Sequence, residues 1–220
     1  MMTSESPIQA VVFDLDGLML NTEDVFAMSG AELLARRGLT MTDEIHHAML
    51  GRRPDEAFQN MKDLTGIKDS LGALKEETRE LFQAFAKDHL ATMPGLQQLF
   101  AHLDRLSLPR AVATSSPRDY LQDMLSRFDL QSHFEFTLTA EDVRHGKPHP
   151  EIYLTAAQRF EIPTHAMLVL EDSQAGVTAA AAAQAVTVAV PNQHTAAGDF
   201  SMATLRVDSL HAPELFERLG

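Results

Sequence analysis

Short apolar runs that end abruptly in polar residues recur along this 220-residue chain. The first three stop at Asp14, Thr114 and Glu171, and a fourth stops at Pro191. Unbroken aliphatic or β-branched runs of this length are typical of strands covered on both faces, as in a parallel sheet. The runs are Ala10–Phe13, Ala111–Ala113, Met167–Leu170 and Val186–Val190.

Stretches with helical spacing lie between these runs, at Leu96–Leu106, Arg118–Phe128, Glu151–Phe160 and Gln174–Ala185. Alternation of strand and helix implies right-handed crossovers, and it predicts an α/β fold with a doubly wound parallel sheet. Ligands bind such sheets beyond the carboxyl ends of the strands. We therefore expect the polar residues that end the runs to meet in one crevice.

The segment from about Thr22 to Thr92 has a different pattern. It contains no strand-like run, and its apolar residues recur at helical spacing. This predicts a small all-helical cap domain, residues 21–92, inserted after the first strand of a core formed by residues 1–20 and 93–220. The four helical stretches are Val25–Leu34, Asp43–Leu50, Asp55–Leu64 and Leu74–His89.

The composition narrows the possible partners and chemistry. The net charge of −13 and the absence of Lys/Arg clusters argue against nucleic-acid binding. There is no cysteine, so a disulfide framework, a thiolate nucleophile and a cysteine zinc site are excluded. No secretory signal and no apolar run long enough for a bilayer are visible, which predicts a cytoplasmic protein that does not bind membranes. An acidic protein that handles an anionic substrate needs local positive charge.

Two carboxylates follow the first predicted strand directly. In an extended strand end, Asp14 and Asp16 project to the same side, so both can reach one reacting centre. Gly17 lets the chain turn without a steric penalty. A solvated surface turn is the alternative interpretation of these three residues.

Glu171 and Asp172 follow a second buried-type run. Adjacent carboxylates at a sheet end, close to Asp14 and Asp16, repel one another unless a cation lies among them. Oxygen ligands of this kind favour Mg²⁺. Capping of the next helix by Asp172 is an alternative that is compatible with metal binding.

Two further motifs carry polar groups that suit an anionic substrate. Lys147 is followed by Pro148 and Pro150, which restrict its loop, so its ammonium could pair with Asp14 and a transferring phosphoryl group. Thr114 and Ser115, at the end of the second run, could cradle phosphate oxygens at a helix start. A solvated lysine and an ordinary helix cap are the respective alternatives.

Together and in this order, the four motifs resemble those of the haloacid dehalogenase superfamily. The matching residues are Phe13–Gly17, Ala113–Ser115, Gly146–Pro148 and Leu170–Ser173. The segment Val169–Gly176 is similar to the β-phosphoglucomutase-like branch, in which a helical cap follows the first motif. The resemblance implies a Rossmann-like core and a magnesium-dependent phosphohydrolase that acts on a small phosphate monoester.

The resemblance also implies roles for individual residues. Asp14 would be the nucleophile that becomes a transient aspartyl phosphate. Asp16 would protonate the leaving oxygen and then accept a proton from the attacking water. Thr114 and the amide of Ser115 would hold the phosphoryl oxygens, and Lys147 would balance the charge.

A magnesium site is implied by the same resemblance. The metal would be held by Asp14, by the main-chain carbonyl of Asp16 and by Asp172. Glu171 would be either a direct ligand or one that acts through water.

Departures from the family patterns sharpen the expected chemistry. The superfamily's dehalogenases lack the second aspartate of the first motif, so Asp16 counts against dehalogenation. In β-phosphoglucomutases a histidine follows the first motif where this chain has Phe26, and a cap arginine aligns with Pro54. These departures favour hydrolysis over mutase chemistry.

The motifs leave three alternatives to a phosphatase. A phosphomutase differs by returning the phosphoryl group to an isomeric product. A non-catalytic binding module on the same fold is disfavoured because all four motifs are intact. A calcium site at residues 14–23 is disfavoured because Leu18, Met19 and Leu20 stand where oxygen ligands are needed.

The expected substrate is a sugar phosphate or similar small phosphorylated molecule. Arg52 and Arg53 are candidates for binding a second anionic group of that substrate, and a surface position is the alternative for both. We expect the protein to be a monomer.

Overall fold

The computed structural model describes residues 7–49 and 54–220. Within them the chain forms two compact units. The first unit contains the described residues up to Leu20 together with Thr92–Gly220, and the second contains the described part of Asn21–Ala91.

The first unit is built on a parallel sheet of six strands, counted over the described residues. The strands are β1 (Ala10–Phe13), β2 (Arg110–Ala113), β3 (Phe136–Leu138), β4 (Met167–Glu171), β5 (Val186–Ala189) and β6 (Leu205–Arg206). Their spatial order is β3-β2-β1-β4-β5-β6. The helices of the described chain are α1 (Thr22–Ala35), α2 (Asp43–Met49), α3 (Pro54–Thr65), α4 (Leu71–His89), α5 (Leu96–Leu106), α6 (Arg118–Arg127), α7 (Glu151–Arg159), α8 (Gln174–Ala182) and α9 (Pro213–Leu219).

The strand order reverses next to β1. From β1 the chain moves through β2 to β3 on one side, and it then crosses to β4 and continues outward to β5 and β6. Phe13 at the end of β1 is in register with Val112 of β2 and with Leu170 of β4. The three strands therefore end within one residue of the same level, at the switch point where open α/β sheets bind ligands.

Successive residues of β1 pack on opposite faces of the sheet. Val12 belongs to a buried cluster that includes Tyr153 of α7 and Ala179 of α8. On the other face the ring of Phe13 lies 5.6 Å from that of Phe100 in α5, edge to face. Helices thus cover both faces, which explains why the central strands are uninterrupted apolar runs.

The described residues of the second unit form helices joined by loops, without a strand. Helices α1 to α4 enclose their own apolar cluster, which includes Leu33, Met61 and Leu74. Asn21 joins the two ends of this segment, because its side-chain oxygen accepts a hydrogen bond from the amide of Ala91 at 2.7 Å and its amide donates to the carbonyl of His89.

The predicted α/β fold with a doubly wound parallel sheet is confirmed. Three predicted helix ends were wrong by three residues: α1 begins at Thr22 instead of Val25, α4 begins at Leu71 instead of Leu74, and α8 stops at Ala182 instead of Ala185. Gln184 adopts a left-handed backbone (φ 62°) that cannot continue a helix. β3, β6 and α9 were not predicted, because strands of two or three residues and a single seven-residue helix give too little periodicity.

Within the described residues, every helix is too short or too polar to cross a lipid bilayer.

Packing of α3 generates a stability prediction with an internal control. Met61 is fully buried in the helical cluster, whereas Leu64 of the same helix is 46% exposed. Met61→Ala should lower the free energy of unfolding by about 2–5 kcal/mol, because it leaves a cavity. Leu64→Ala should change it by less than about 0.5 kcal/mol. Chemical denaturation followed by circular dichroism measures both, and equal losses would contradict the described packing.

Candidate active site

The carboxyl ends of β1, β2 and β4 bring together the polar residues that end or directly follow these strands. Asp14, Thr114, Glu171 and Asp172 are all buried, with 7% or less of each residue exposed. The amide of Asp14 donates to the carbonyl of Leu170, so the parallel pairing of β1 and β4 continues to the nucleophile candidate. The structure brings these side chains together at one end of the sheet, as predicted.

Lys147 connects these strand ends. Its ammonium donates to Asp14 Oδ1 at 2.5 Å, to Glu171 Oε1 at 2.6 Å and to the carbonyl of Ala113 at 2.9 Å. All three hydrogen atoms of the ammonium therefore have acceptors. Burial by itself lowers the pKa of Lys147, but the carboxylates of Asp14 and Glu171 raise it well above its usual range. The side chain is a permanent cation at this position.

The loop that carries Lys147 is fastened by Glu151 at the start of α7. The carboxylate of Glu151 accepts hydrogen bonds from the amides of Arg144 and His145, at 2.9 and 3.0 Å. His149 donates its amide to the carbonyl of Gly146. These contacts close the loop on both sides of Lys147, so the ammonium is delivered to the sheet end from a defined backbone.

Burial dominates the ionisation of Asp14. Together with the neighbouring carboxylates of Glu171 and Asp16, it raises the pKa of the Asp14 carboxyl from 3.8 to about 8, although Lys147 acts to lower it. One ammonium therefore does not offset the cost of burying the charge of Asp14.

Glu171 is fully buried, and both of its oxygens are occupied by donors. Oε1 accepts from Lys147 and, at 2.6 Å, from the hydroxyl of Tyr153. Oε2 accepts from the hydroxyl of Ser173 at 3.0 Å. A side chain at Gly176 would place its Cβ only 1.8 Å from Oε1, so the position of Glu171 requires glycine there.

Burial and the charge of Glu171 raise the pKa of Tyr153 well above its usual range. The phenol therefore remains a neutral donor to Glu171. Ser173, and not Asp172, caps α8, because its hydroxyl accepts from the amide of Gly176.

Asp172 lies against the turn that follows Asp16. The side-chain amide of Asn192 donates to Asp172 Oδ2 at 2.9 Å and to the carbonyl of Gly17 at 3.1 Å. Gly17 has φ 77°, and a Cβ there would lie 2.4 Å from Asp172 Oδ2. Glycine is needed at this position both for the turn and for the close approach of the carboxylate.

Asp14, Glu171 and Asp172 form a cluster in which one oxygen of each lies within 4.8 Å of the others. Three buried carboxylates lie beside one ammonium, which contacts only Asp14 and Glu171, and an excess of negative charge is left. A hard divalent cation with oxygen ligands fits this donor set and would relieve the repulsion. The side chain of Asp16 does not belong to this cluster.

Thr114 and Ser115 differ in their surroundings. Thr114 is 1% exposed, and its hydroxyl oxygen accepts from the amide of Ser116 at 3.0 Å. Ser115 is exposed. Neither residue caps α6, whose N-cap residue is Pro117 and makes no side-chain cap hydrogen bond. The alternative of an ordinary helix cap is therefore wrong, and a loop of polar groups is left at the end of β2.

The two oxygens of Asp16 each accept a hydroxyl. Ser116 donates to Oδ2 at 2.6 Å and Tyr120 to Oδ1 at 2.8 Å. Asp16 is half-buried, in contrast to the buried carboxylates around Lys147.

The structure thus groups Asp14, Lys147, Thr114, Glu171 and Asp172, with Asp16 and Ser115 on the adjoining turns. Arg52 and Arg53 lie outside the described residues. Sequence reasoning missed the supporting contacts of Ser116, Tyr120, Tyr153, Gly176 and Asn192. Asn192 could have been identified because it comes two residues after the fourth apolar run. Nothing in the sequence pattern pointed to the two tyrosines.

Comparison with known proteins agrees with this geometry. The family model for haloacid dehalogenase-like hydrolases matches residues 11–190. A phosphorylated carbohydrates phosphatase of Thermotoga maritima is 30% identical, over 80% of this chain and 82% of its own length. The (DL)-glycerol-3-phosphatase 2 of Arabidopsis thaliana is 34% identical, over 84% of this chain and 80% of its own.

A solved structure extends the similarity to the fold. A haloacid dehalogenase family hydrolase from Deinococcus radiodurans, with bound phosphate and sodium, superposes with a TM-score of 0.77. It is 26% identical and covers 93% of each chain. The matched segment contains all four motifs, from Asp14 to Asp172. The chain belongs to the haloacid dehalogenase-like hydrolases, in the phosphatase branch of that superfamily.

Proposed function

We propose that this phosphatase hydrolyses a small phosphate monoester, a sugar phosphate or a similar molecule, through an aspartyl phosphate on Asp14. The observation that carries the proposal is the contact of Asp14 with Lys147 beside two further carboxylates, at the switch point of the sheet. Relatives named for phosphorylated carbohydrates and glycerol-3-phosphate support this substrate class.

In the first step a carboxylate oxygen of Asp14 attacks phosphorus, and the bond from phosphorus to the leaving oxygen breaks. Asp16 gives its proton to that oxygen, so the product leaves as an alcohol. Lys147 contacts the attacking carboxylate and stabilises the negative charge on the transferring group.

In the second step water attacks phosphorus and Asp16 takes the proton of the water. The bond from phosphorus to the Asp14 oxygen breaks, which releases phosphate and restores the carboxylate. Asp16 regains the protonation state with which the cycle began.

The loop after β2 would hold the phosphoryl oxygens. The oxygen of the Thr114 hydroxyl is engaged by the amide of Ser116, which leaves its hydrogen to donate to a phosphoryl oxygen. Ser115 is an exposed residue of the same loop, and its amide would be the second donor.

The cation proposed for this site is Mg²⁺, with Asp14, Asp172 and the main-chain carbonyl of Asp16 as ligands. When bound, it supplies positive charge that ionises Asp14 and neutralises the phosphoryl oxygens. Glu171 has both oxygens engaged by protein donors, so we assign it to the outer shell, where it holds Lys147. This role is consistent with the raised pKa of Asp14, which a single ammonium does not overcome.

Residues 21–92 are proposed to act as the cap that selects the substrate, with Arg52 and Arg53 as candidates for a second anionic group. Phe26, where β-phosphoglucomutases carry a histidine, packs its ring 4.4 Å from that of Phe82 within the helical unit. A phenyl ring cannot transfer protons, which supports water as the final acceptor instead of a second sugar hydroxyl.

Replacing the proposed nucleophile should abolish turnover. Wild-type protein with Mg²⁺ should release phosphate from p-nitrophenyl phosphate or a panel of sugar phosphates, and chelation should stop the release. Asp14→Asn should lower the rate by about 10³-fold or more, because no covalent intermediate can form. Asp208 is exposed, and Asp208→Asn should behave as wild type. Wild-type turnover in Asp14→Asn would contradict the proposal, and label recovered in an isomeric sugar phosphate would identify a mutase.

Without divalent metal, Asp14 should make stability fall as pH rises from about 4 to about 8. The folded protein retains a proton on Asp14 that the unfolded chain loses above the ordinary pKa of 3.8. The native state therefore binds more protons in this window, and the free energy of unfolding falls with pH, by at most roughly 1.4 kcal/mol per unit. Denaturation in a chelator measures this fall, which should be smaller in Asp14→Asn than in wild type or in Asp208→Asn. Parallel pH profiles would contradict it.

A further inference from the structure

Asp16 is held differently from every other carboxylate in the site. Each of its oxygens accepts one hydrogen bond, from Ser116 on one side and from Tyr120 on the other. Both donors are neutral hydroxyls, whereas Asp14 and Glu171 share a buried ammonium. Because each oxygen accepts from one hydroxyl, rotation of the carboxylate about χ2 is restricted. This torsion is otherwise broadly distributed in aspartate side chains.

The two donors come from one anchored segment, the turn that leads from β2 into α6. Ser116 is held by its amide on the hydroxyl of Thr114, and its carbonyl accepts from the amide of Ala140. Tyr120 lies in the first turn of α6. The start of this helix is tied down by Arg118, whose guanidinium pairs with Asp142 at 2.8 Å and whose amide donates to Glu141.

The two donors are 100 and 104 residues away from Asp16 in sequence, so the contacts are a property of the fold. The same turn begins with Thr114 and Ser115, which are proposed to hold the phosphoryl group. One short piece of backbone would therefore position both Asp16 and the phosphoryl oxygens. A displacement of the acid relative to the leaving oxygen of even 1 Å costs about 10²-fold in rate.

We propose that Ser116 and Tyr120 are positioning residues that orient the carboxylate of Asp16 towards the leaving-group oxygen. The inference rests on the proposed role of Asp16 as general acid. It adds the two residues that orient the carboxylate for that role. Hydroxyls suit this task because each can donate or accept, so they hold Asp16 with or without its proton.

The consequence is a dependence on the leaving group. An alkyl phosphate, such as a sugar or glycerol phosphate, needs a proton on the departing oxygen. The p-nitrophenolate ion is stable without one, so an aryl phosphate bypasses the acid. Because kcat/KM includes only the steps up to transfer onto Asp14, it isolates the acid role from the later action of Asp16 on water.

The test compares kcat/KM for p-nitrophenyl phosphate with kcat/KM for the best alkyl phosphate of the panel. Tyr120→Phe, Ser116→Ala and their combination remove the hydroxyls and keep the ring or the small side chain. The double variant should lose about tenfold or more on the alkyl substrate and less than about threefold on the aryl one. Ser116→Thr keeps a hydroxyl and should restore most of the alkyl activity that Ser116→Ala loses.

Ser126, an exposed residue of the same helix, provides the control, and Ser126→Ala should leave both values unchanged. Equal losses on the two substrates, or no loss on either, would overturn the proposal. Asp16→Asn separates this failure from failure of the proposed function. If Asp16→Asn itself shows no preference for the aryl substrate, the acid role is wrong; if it does and the hydroxyl variants do not, only the positioning role is wrong.

Discussion

The contact that the site depends on is one ammonium between two buried carboxylates. Lys147 donates to Asp14 and to Glu171 from a position where water has little access. Burying such charges is costly, and it is repaid only when geometry is good and the remaining lone pairs and protons are satisfied. Here Tyr153, Ser173 and the carbonyl of Ala113 provide that satisfaction. Loss of Lys147 would leave both carboxylates buried without their shared cation.

Much of the surrounding structure can be understood as a requirement of this contact. The hydrogen bonds of the Glu151 carboxylate to the amides of Arg144 and His145 fix the loop of Lys147. Gly176 leaves space for the side chain of Glu171. In-register pairing of β1 with β2 and β4 brings the three strand ends to within one residue of the same level. Since a single ammonium does not offset three carboxylates, the same arrangement that fixes the nucleophile also favours a cation.

The sequence predicted those features that repeat or that end a repeat. Uninterrupted apolar runs identified the central strands, and the residues that stop them proved to be Asp14, Thr114 and Glu171, which the sheet gathers at its switch point. Position along the chain was sufficient here because parallel strands carry their carboxyl ends to the same edge.

The contacts that orient these groups could not be predicted in the same way. Tyr153 and Tyr120 lie on helices whose periodicity reports only which side is buried, not which hydroxyl meets which carboxylate. Asn192 reaches Gly17 across 175 residues of sequence. Such pairs depend on side-chain directions and on the relative placement of distant loops, and neither leaves a periodic trace in one sequence.

The proposed mechanism requires the carboxylate of Asp14 to become phosphorylated during turnover. Rapid acid quench of the enzyme with substrate and metal, followed by borohydride reduction, converts an aspartyl phosphate to homoserine, which peptide mass spectrometry can locate. We expect homoserine at position 14 in wild-type protein and none without substrate. Homoserine at another aspartate, or its absence under conditions in which phosphate is released, would show that Asp14 is not the nucleophile.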